Sequence, residues 1–231
     1  MFSVTPSIDP AIADLAPGFR ALSITVKAAP LAAPAIADEW LARACETVLA
    51  VPPAWASAHL ADWAETFTKF GAKPKRTPCS AEALWKRVQR DGTLPGIDPV
   101  VDLYNAISLR YAIPVGGENI GAYVGQPRLV IADGSELFDT FKDGKAALES
   151  PDVGEVIWRD DQGVTCRRWN WRQGVRTRLN AEAAHMWFVL ESLPSMPYAA
   201  LLEAGDELIR GLTLMMPGVQ TDRQVIGFTV P

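Results

Sequence analysis

The 231-residue chain is poor in the residues that build covalent or metal-held frameworks: it has three cysteines, Cys45, Cys79 and Cys166, and two histidines, His59 and His185. The cysteines are odd in number, widely spaced and without a CxxC pair. That excludes a disulfide scaffold and a zinc ribbon, and predicts a reducing, cytoplasmic location. Neither histidine belongs to an HExxH or comparable ligand set, so no metal and no cofactor is expected, and both read as structural residues of amphipathic helices. Cys79 stands near a helix start but has no histidine close to it in sequence, and no serine sits in a GxSxG setting. Long hydrophobic runs are missing as well. No stretch approaches the roughly 18 residues of a membrane span, and the first residues lack the basic flank and apolar run of a signal peptide. Neither a GxGxxG fingerprint nor a phosphate-binding P-loop occurs, which argues against a nucleotide fold.

Positive charge is not in excess either. With 22 Lys and Arg against 27 Asp and Glu, the net charge is -5, so the molecule as a whole repels a polyanion. DNA is not an expected partner, and any contact with RNA must come from a local basic patch. What the chain has in quantity is apolar surface. At 48% hydrophobic residues it can bury one sizeable core, which predicts a single domain over residues 1–231 with residues 1–17 as an N-terminal extension.

Leu22, Ile24 and Val26 alternate within residues 19–29 and predict an early strand stopped by Pro30. Residues 35–70 place Trp40, Leu41, Ala44 and Val48, then Leu60, Trp63 and Phe67, at helical spacing, which predicts two helices broken at Pro52 and Pro53. A basic loop, 71–78, leads into a short helix from Cys79 or Ser80 to Arg90, closed by Gly92. Pro99 suits a first helical position, and Val100, Leu103, Ile107 and Tyr111 carry that helix up to Pro114. Short β runs follow at 128–132, 154–158, 164–171 and 224–230, interrupted by helical patterns at 182–193 and 198–210. Helices on one side and a β-rich centre and C-terminal half on the other predict a layered mixed α/β (α+β) sandwich rather than a doubly wound sheet.

Three segments carry candidate chemistry. Between Arg159 and Arg178 six arginines face two acids, and Trp169 and Trp171 lie among them. Guanidinium groups interleaved with indoles suit phosphate neutralisation and base stacking, and equally suit a twisted edge hairpin with solvated arginines. Asn105 sits among apolar residues of its helix; it is either satisfied within the core or points into a pocket, with Asp102 three positions earlier placed to orient it. Glu191 follows Trp187, Phe188, Val189 and Leu190, a dry setting for a carboxylate, and reads as a site residue or as a salt bridge at a helix end.

The run Leu94-Pro95-Gly96-Ile97-Asp98-Pro99-Val100-Val101-Asp102-Leu103-Tyr104-Asn105, followed by Pro114-Val115-Gly116-Gly117, resembles the editing (B3/B4) domain of the phenylalanyl-tRNA synthetase beta subunit and its freestanding relatives. Residues 156–160 and 166–174 are similar to the arginine-tryptophan strand pair of the freestanding members, and Val189-Leu190-Glu191 stands where the synthetase domain carries a pocket glutamate. The likeness spans residues 18–231 and is strongest over 94–193. It implies a three-layer sandwich of β-sheets flanked by helices, whose pocket receives the acceptor end of a mischarged tRNA and hydrolyses its aminoacyl ester. By the same resemblance Asn105 holds substrate or water, and Glu191 binds the amino group or a side-chain hydroxyl. Tyr104, Gly116, Gly117, Arg168, Trp169, Asn170 and Trp171 wall the pocket, while Arg167, Arg172, Arg176 and Arg178 contact tRNA. An aminoacyl-tRNA synthetase is a further expected partner, although the ligase motifs of a synthetase are absent. The sequence departs from the family pattern where a histidine aligns with Gly116, a threonine with Tyr104 and a small Gly-Gly wall with residues 169–172. Those departures leave open the amino acid accepted, and with it a silent tRNA-binding module or an amino acid sensor.

Overall fold

The computed structural model describes residues 4–228. The chain enters through strand β1 (Ser7–Ile8), the single turn α1 (Ile12–Leu15) and β2 (Arg20–Lys27). Four helices follow: α2 (Ala35–Ala50), α3 (Ala56–Lys69), α4 (Ser80–Asp91) and α5 (Pro99–Tyr111). Seven strands come next: β3 (Val115–Asn119), β4 (Arg128–Ile131), β5 (Phe138–Lys142), β6 (Lys145–Glu149), β7 (Val156–Arg159), β8 (Val164–Arg167) and β9 (Arg172–Gln173). Strand β10 (His185–Ser192), helix α6 (Tyr198–Met215) and strand β11 (Gln220–Gly227) complete it.

The strands form two sheets. One is four-stranded and antiparallel in the order β11-β2-β10-β3; the other runs β1-β4-β7-β8-β5-β6, with β9 paired to β8. Side chains alternate across a strand, so β2 and β10 send successive residues to opposite faces. Leu22, Ile24 and Val26 with Met186, Phe188 and Leu190 pack beneath α5 and α6, against Leu103, Ile107, Leu201 and Leu208. Ala21 with Trp187 and Val189 face the second sheet, where Leu129, Val156 and Trp158 meet them and Trp63 and Phe67 of α3 close the end. Helices, four-stranded sheet and second sheet are thus the three layers of an α+β sandwich.

The helices and their breaks agree with the sequence reading, including the left-handed cap at Gly92 (φ 77°). Residues 182–193 do not: the expected helix there is β10, the central strand of the four-stranded sheet, and His185 is a strand residue. Every residue from Met186 to Ser192 is buried. A strand covered on both faces loses its polar alternation and leaves an apolar run with no period of its own. The expected N-terminal extension is part of the packing, since β1 pairs with β4 and Val4 and Ile12 are buried beside Trp63. The expected final strand begins at Gln220 rather than 224, and residues 229 and 230 of that expectation lie outside the described residues. No described helix is long and apolar enough to cross a membrane.

Candidate functional site

Helix α5 is fastened at both ends. Asp98 caps it, its carboxylate accepting from the Val100 and Val101 amides at 2.9 and 3.4 Å, with Pro99 in the first turn. The other oxygen of Asp98 accepts from the Ala181 amide at 3.0 Å, tying the helix start to the chain that enters β10. Asp102, expected to orient Asn105, instead takes the Ile97 amide on both carboxylate oxygens at 3.0 Å and holds the preceding turn. At the far end Ala112 adopts φ 50° and the Ser108 hydroxyl donates to the Ile113 carbonyl at 2.7 Å. The buried His59 ring binds the Ala112 carbonyl through Nδ1 (2.8 Å), while Nε2 accepts from the Trp63 indole and the Leu193 amide. Burial holds its pKa down to about 4, so it is a neutral structural hub.

Thus fixed, α5 presses Tyr104 and Asn105 toward β3. A Cβ on Gly117 would lie 2.7 Å from the Tyr104 ring, so that glycine is required for this approach; one on Gly116 would lie 3.0 Å from the Val189 side chain of the paired strand β10. Opposite stands the turn after β8. The sequence suggests a strand as far as Trp171, but it ends at Arg167, and Arg168 and Trp169 both take left-handed backbone angles (φ 45° and 65°). Two such residues store roughly 1–3 kcal/mol each. Hydrogen bonds from the Arg168 amide to Glu155 (2.9 Å) and from the Trp169 amide to the Val156 carbonyl (2.6 Å) hold them there.

That turn delivers donors to Glu191. One oxygen of its carboxylate accepts from the indoles of Trp158 (2.9 Å) and Trp169 (3.0 Å), and the other from the Asn170 amide (2.9 Å). Glu191 is buried, and no cation is among its partners. Burial pushes its pKa up to about 7 against the pull of these three donors.

Between the two sheets and the helices α4 and α5 lies a cavity of about 330 Å³, near the lower end of small-molecule sites (~300–1,000 Å³). Its wall brings together Asn105, Tyr104, Gly116, Gly117, Trp169, Asn170, Trp171 and Glu191. The Asn105 amide makes no hydrogen bond to another described residue. Among the residues that sequence reasoning did not single out for the site but that line it are Glu118 of β3, Trp187 of β10, and Ser80 and Arg87 of α4. Glu118 is buried too, and burial raises its pKa to about 8. Its signal in the sequence was a carboxylate two positions beyond Gly116, on a segment not recognised as a strand. Cys166 also reaches the cavity, with its thiol pushed well above the usual range by burial and by the nearby Glu118 and Glu191 carboxylates.

The arginines divide. Arg167 forms a bidentate pair with Glu155 (2.9 and 2.7 Å) and reaches Glu149 at 3.3 Å. Arg176 forks onto Asp160 (2.9 and 2.8 Å) and donates to the Ala122 carbonyl. Both are neutralised by buried acids, Glu155 and Asp160, that do not line the cavity. Arg168 lies off the cavity, stacked on Trp171 at 4.5 Å and near Glu155 and Asp152. Arg172 donates to the Phe141 carbonyl at 3.1 Å, and Arg178 is exposed. A second, smaller depression of about 80 Å³ between Trp40 and Arg210 gathers no comparable acids.

Comparison with known proteins adds to this geometry. A model of the B3/4 domain family matches residues 62–197, well over half of the chain. Among solved structures, an N-terminal fragment of the phenylalanyl-tRNA synthetase beta subunit from Pyrococcus horikoshii aligns with a TM-score of 0.49 at 9% identity. The alignment covers 99% of this chain and 55% of that one, so the chain spans about half the length of the fragment. No curated protein matches by sequence.

Proposed function

The chain belongs to the B3/4 domain family, and from that premise we propose that it hydrolyses the ester joining an amino acid to the 3′ end of a tRNA. The observation that carries this reading is that the cavity wall holds buried acids and no buried cation. Two buried carboxyls, Glu191 and Glu118, line it, and among the described residues its one basic lining group is Arg87, which is exposed on α4. A free amino acid would bring its own carboxylate into a space whose wall offers no buried cation to pair with it. An esterified amino acid keeps its ammonium and has lost that negative charge, so it supplies the cation the cavity lacks.

Glu191, held rigid by two indoles and an amide, receives the ammonium in this reading. The uncommitted Asn105 amide holds the ester carbonyl or the attacking water. Among the described residues no side chain is placed to act as a covalent nucleophile: burial and nearby carboxylates keep the Cys166 thiol in its protonated form, and Ser80 has no histidine beside it, because His59 is fully engaged elsewhere. Water therefore attacks the carbonyl carbon directly, the bond to the ribose oxygen breaks, and that oxygen leaves with a proton. The ester is already activated, so orientation and electrostatics supply the acceleration, helped by the terminal ribose hydroxyl. Phosphates of the acceptor end fall to the exposed cations. Arg87 stands at the cavity, Lys73, Lys75 and Arg76 are exposed in the loop leading to α4, Arg178 is exposed and Arg172 is half-buried. Arg167 and Arg176 are spent on the buried acids Glu155 and Asp160 instead.

The test is deacylation of a panel of mischarged tRNAs. Glu191→Gln and Asn105→Ala are expected to lower kcat/KM by about a hundredfold or more, the scale of losing one preorganised polar contact. Salt-sensitive tRNA binding with no turnover on any member would reduce the protein to a binding module, and salt-independent binding of free amino acids without tRNA affinity would make it a sensor.

A further inference from the structure

We infer that Glu118 forms a second cation-accepting end of the cavity, so that the aminoacyl group it takes carries a side-chain ammonium in addition to the α-ammonium, as a diamino acid does. This deepens the aminoacyl-ester reading and rests on it.

The two carboxyls share one face of one sheet. Glu118 pairs in register with Trp187, and Trp187, Val189 and Glu191 point to the same side of β10. Four residues of strand separate the two positions, about 14 Å between backbone sites, and both side chains line the same cavity. The cavity therefore has an acid toward each end and apolar and aromatic wall between them.

The ends differ in what they already bind. Both oxygens of Glu191 have donors, whereas Oε2 of Glu118 is buried without a hydrogen-bond partner. Glu118 is only 4% exposed. Oδ1 of Asn170, an acceptor only, is buried without a partner as well. An orphaned buried acceptor costs roughly 1–3 kcal/mol, and more when it is charged. The guanidinium whose charge acts on Glu118, that of Arg176, is spent on both oxygens of Asp160. Around Glu118 the remaining groups are neutral: the half-buried Tyr104 and Tyr123 phenols and the Cys166 thiol all have raised pKa values. Thr177 and Gln173 pull the Glu118 carboxyl toward its charged form, but burial outweighs them. A neutral hydroxyl would satisfy the orphaned oxygen and leave the carboxyl protonated; an ammonium satisfies it and also stabilises the carboxylate, drawing its pKa back down.

The experiment uses non-hydrolysable 3′-aminoacylamino-adenosine analogues, read by the fluorescence of Trp158, Trp169 and Trp187 in the cavity wall. Lysyl and ornithyl analogues are expected to bind at least about tenfold tighter than the norleucyl analogue, which has similar length and no side-chain charge. Glu118→Gln, nearly isosteric, should erase that difference, while Glu191→Gln should weaken all three and keep their order. Equal affinity of the lysyl and norleucyl analogues in the unmodified protein overturns this inference alone. So does a preference for seryl or tyrosyl analogues that disappears in Glu118→Gln, since it would assign Glu118 a hydroxyl. If no analogue binds, the norleucyl one included, the aminoacyl-ester reading falls and takes this inference with it.

Discussion

Glu191 and Glu118 lie on neighbouring strands of one sheet, are equally buried, and are prepared in opposite ways. Glu191 is surrounded by donors that the fold has already delivered; Glu118 keeps a bare oxygen. The lesson is that burial alone says little about a carboxyl. A satisfied one is part of the structure and has a defined place from which to act, whereas an unsatisfied one weakens the empty protein and is relieved when something binds.

Apolar replacement should separate the two most sharply. Glu191→Leu would strand the Trp158 and Trp169 indoles and the Asn170 amide, and is expected to destabilise by several kcal/mol in chemical denaturation. Glu118→Leu removes an acceptor that had no partner and should be near neutral or stabilising. If both substitutions cost the same, the contrast is broken.

Acidity provides the next test. Both carboxyls have folded-state pKa values above the ordinary 4.5, about 7 for Glu191 and about 8 for Glu118. Between 4.5 and those values the folded protein holds more protons than the unfolded chain, so its stability falls as pH rises through that window and levels off above it. The fall is on the order of 3 kcal/mol for Glu191 alone. Glu118→Gln should remove the part nearest pH 8, and Glu191→Gln should remove the part that ends near pH 7, as measured by denaturation midpoints across pH 5 to 9.

A smaller effect, about 1–3 kcal/mol, is expected for Gly117→Ala. It pushes Tyr104 away from β3 and widens the cavity beside Glu118, while Gly116→Ala, with a 3.0 Å contact to Val189, should cost less. Melting temperatures of the two variants rank them.

Much of the frame was legible in residues. Helical spacing located α2, α3, α4 and α6, and Asp98-Pro99 marked the start of α5 where capping chemistry puts it. The resemblance that began in that helix placed Asn105 and Glu191 in one pocket, and both line one cavity. Three features were not legible. Strand β10 looked helical because it is covered on both faces; the arginines of 167–176 looked available because their acids, Glu155, Glu149 and Asp160, are up to about 18 positions away in sequence or hidden in turns. Glu118 stood out in no pattern, since a single acid after two glycines carries no periodicity.

The chain by itself determined its helices, its breaks and the apolar content that forces layers to form, because these depend on neighbours within a few residues. Which arginines remain free, which carboxyl is satisfied, and that Glu118 and Glu191 face one another's cavity were decided only when β3 and β10 paired and the turn after β8 closed over them. Charge and hydrogen bonding are balanced between groups that meet in space, and no local stretch of sequence contains both partners.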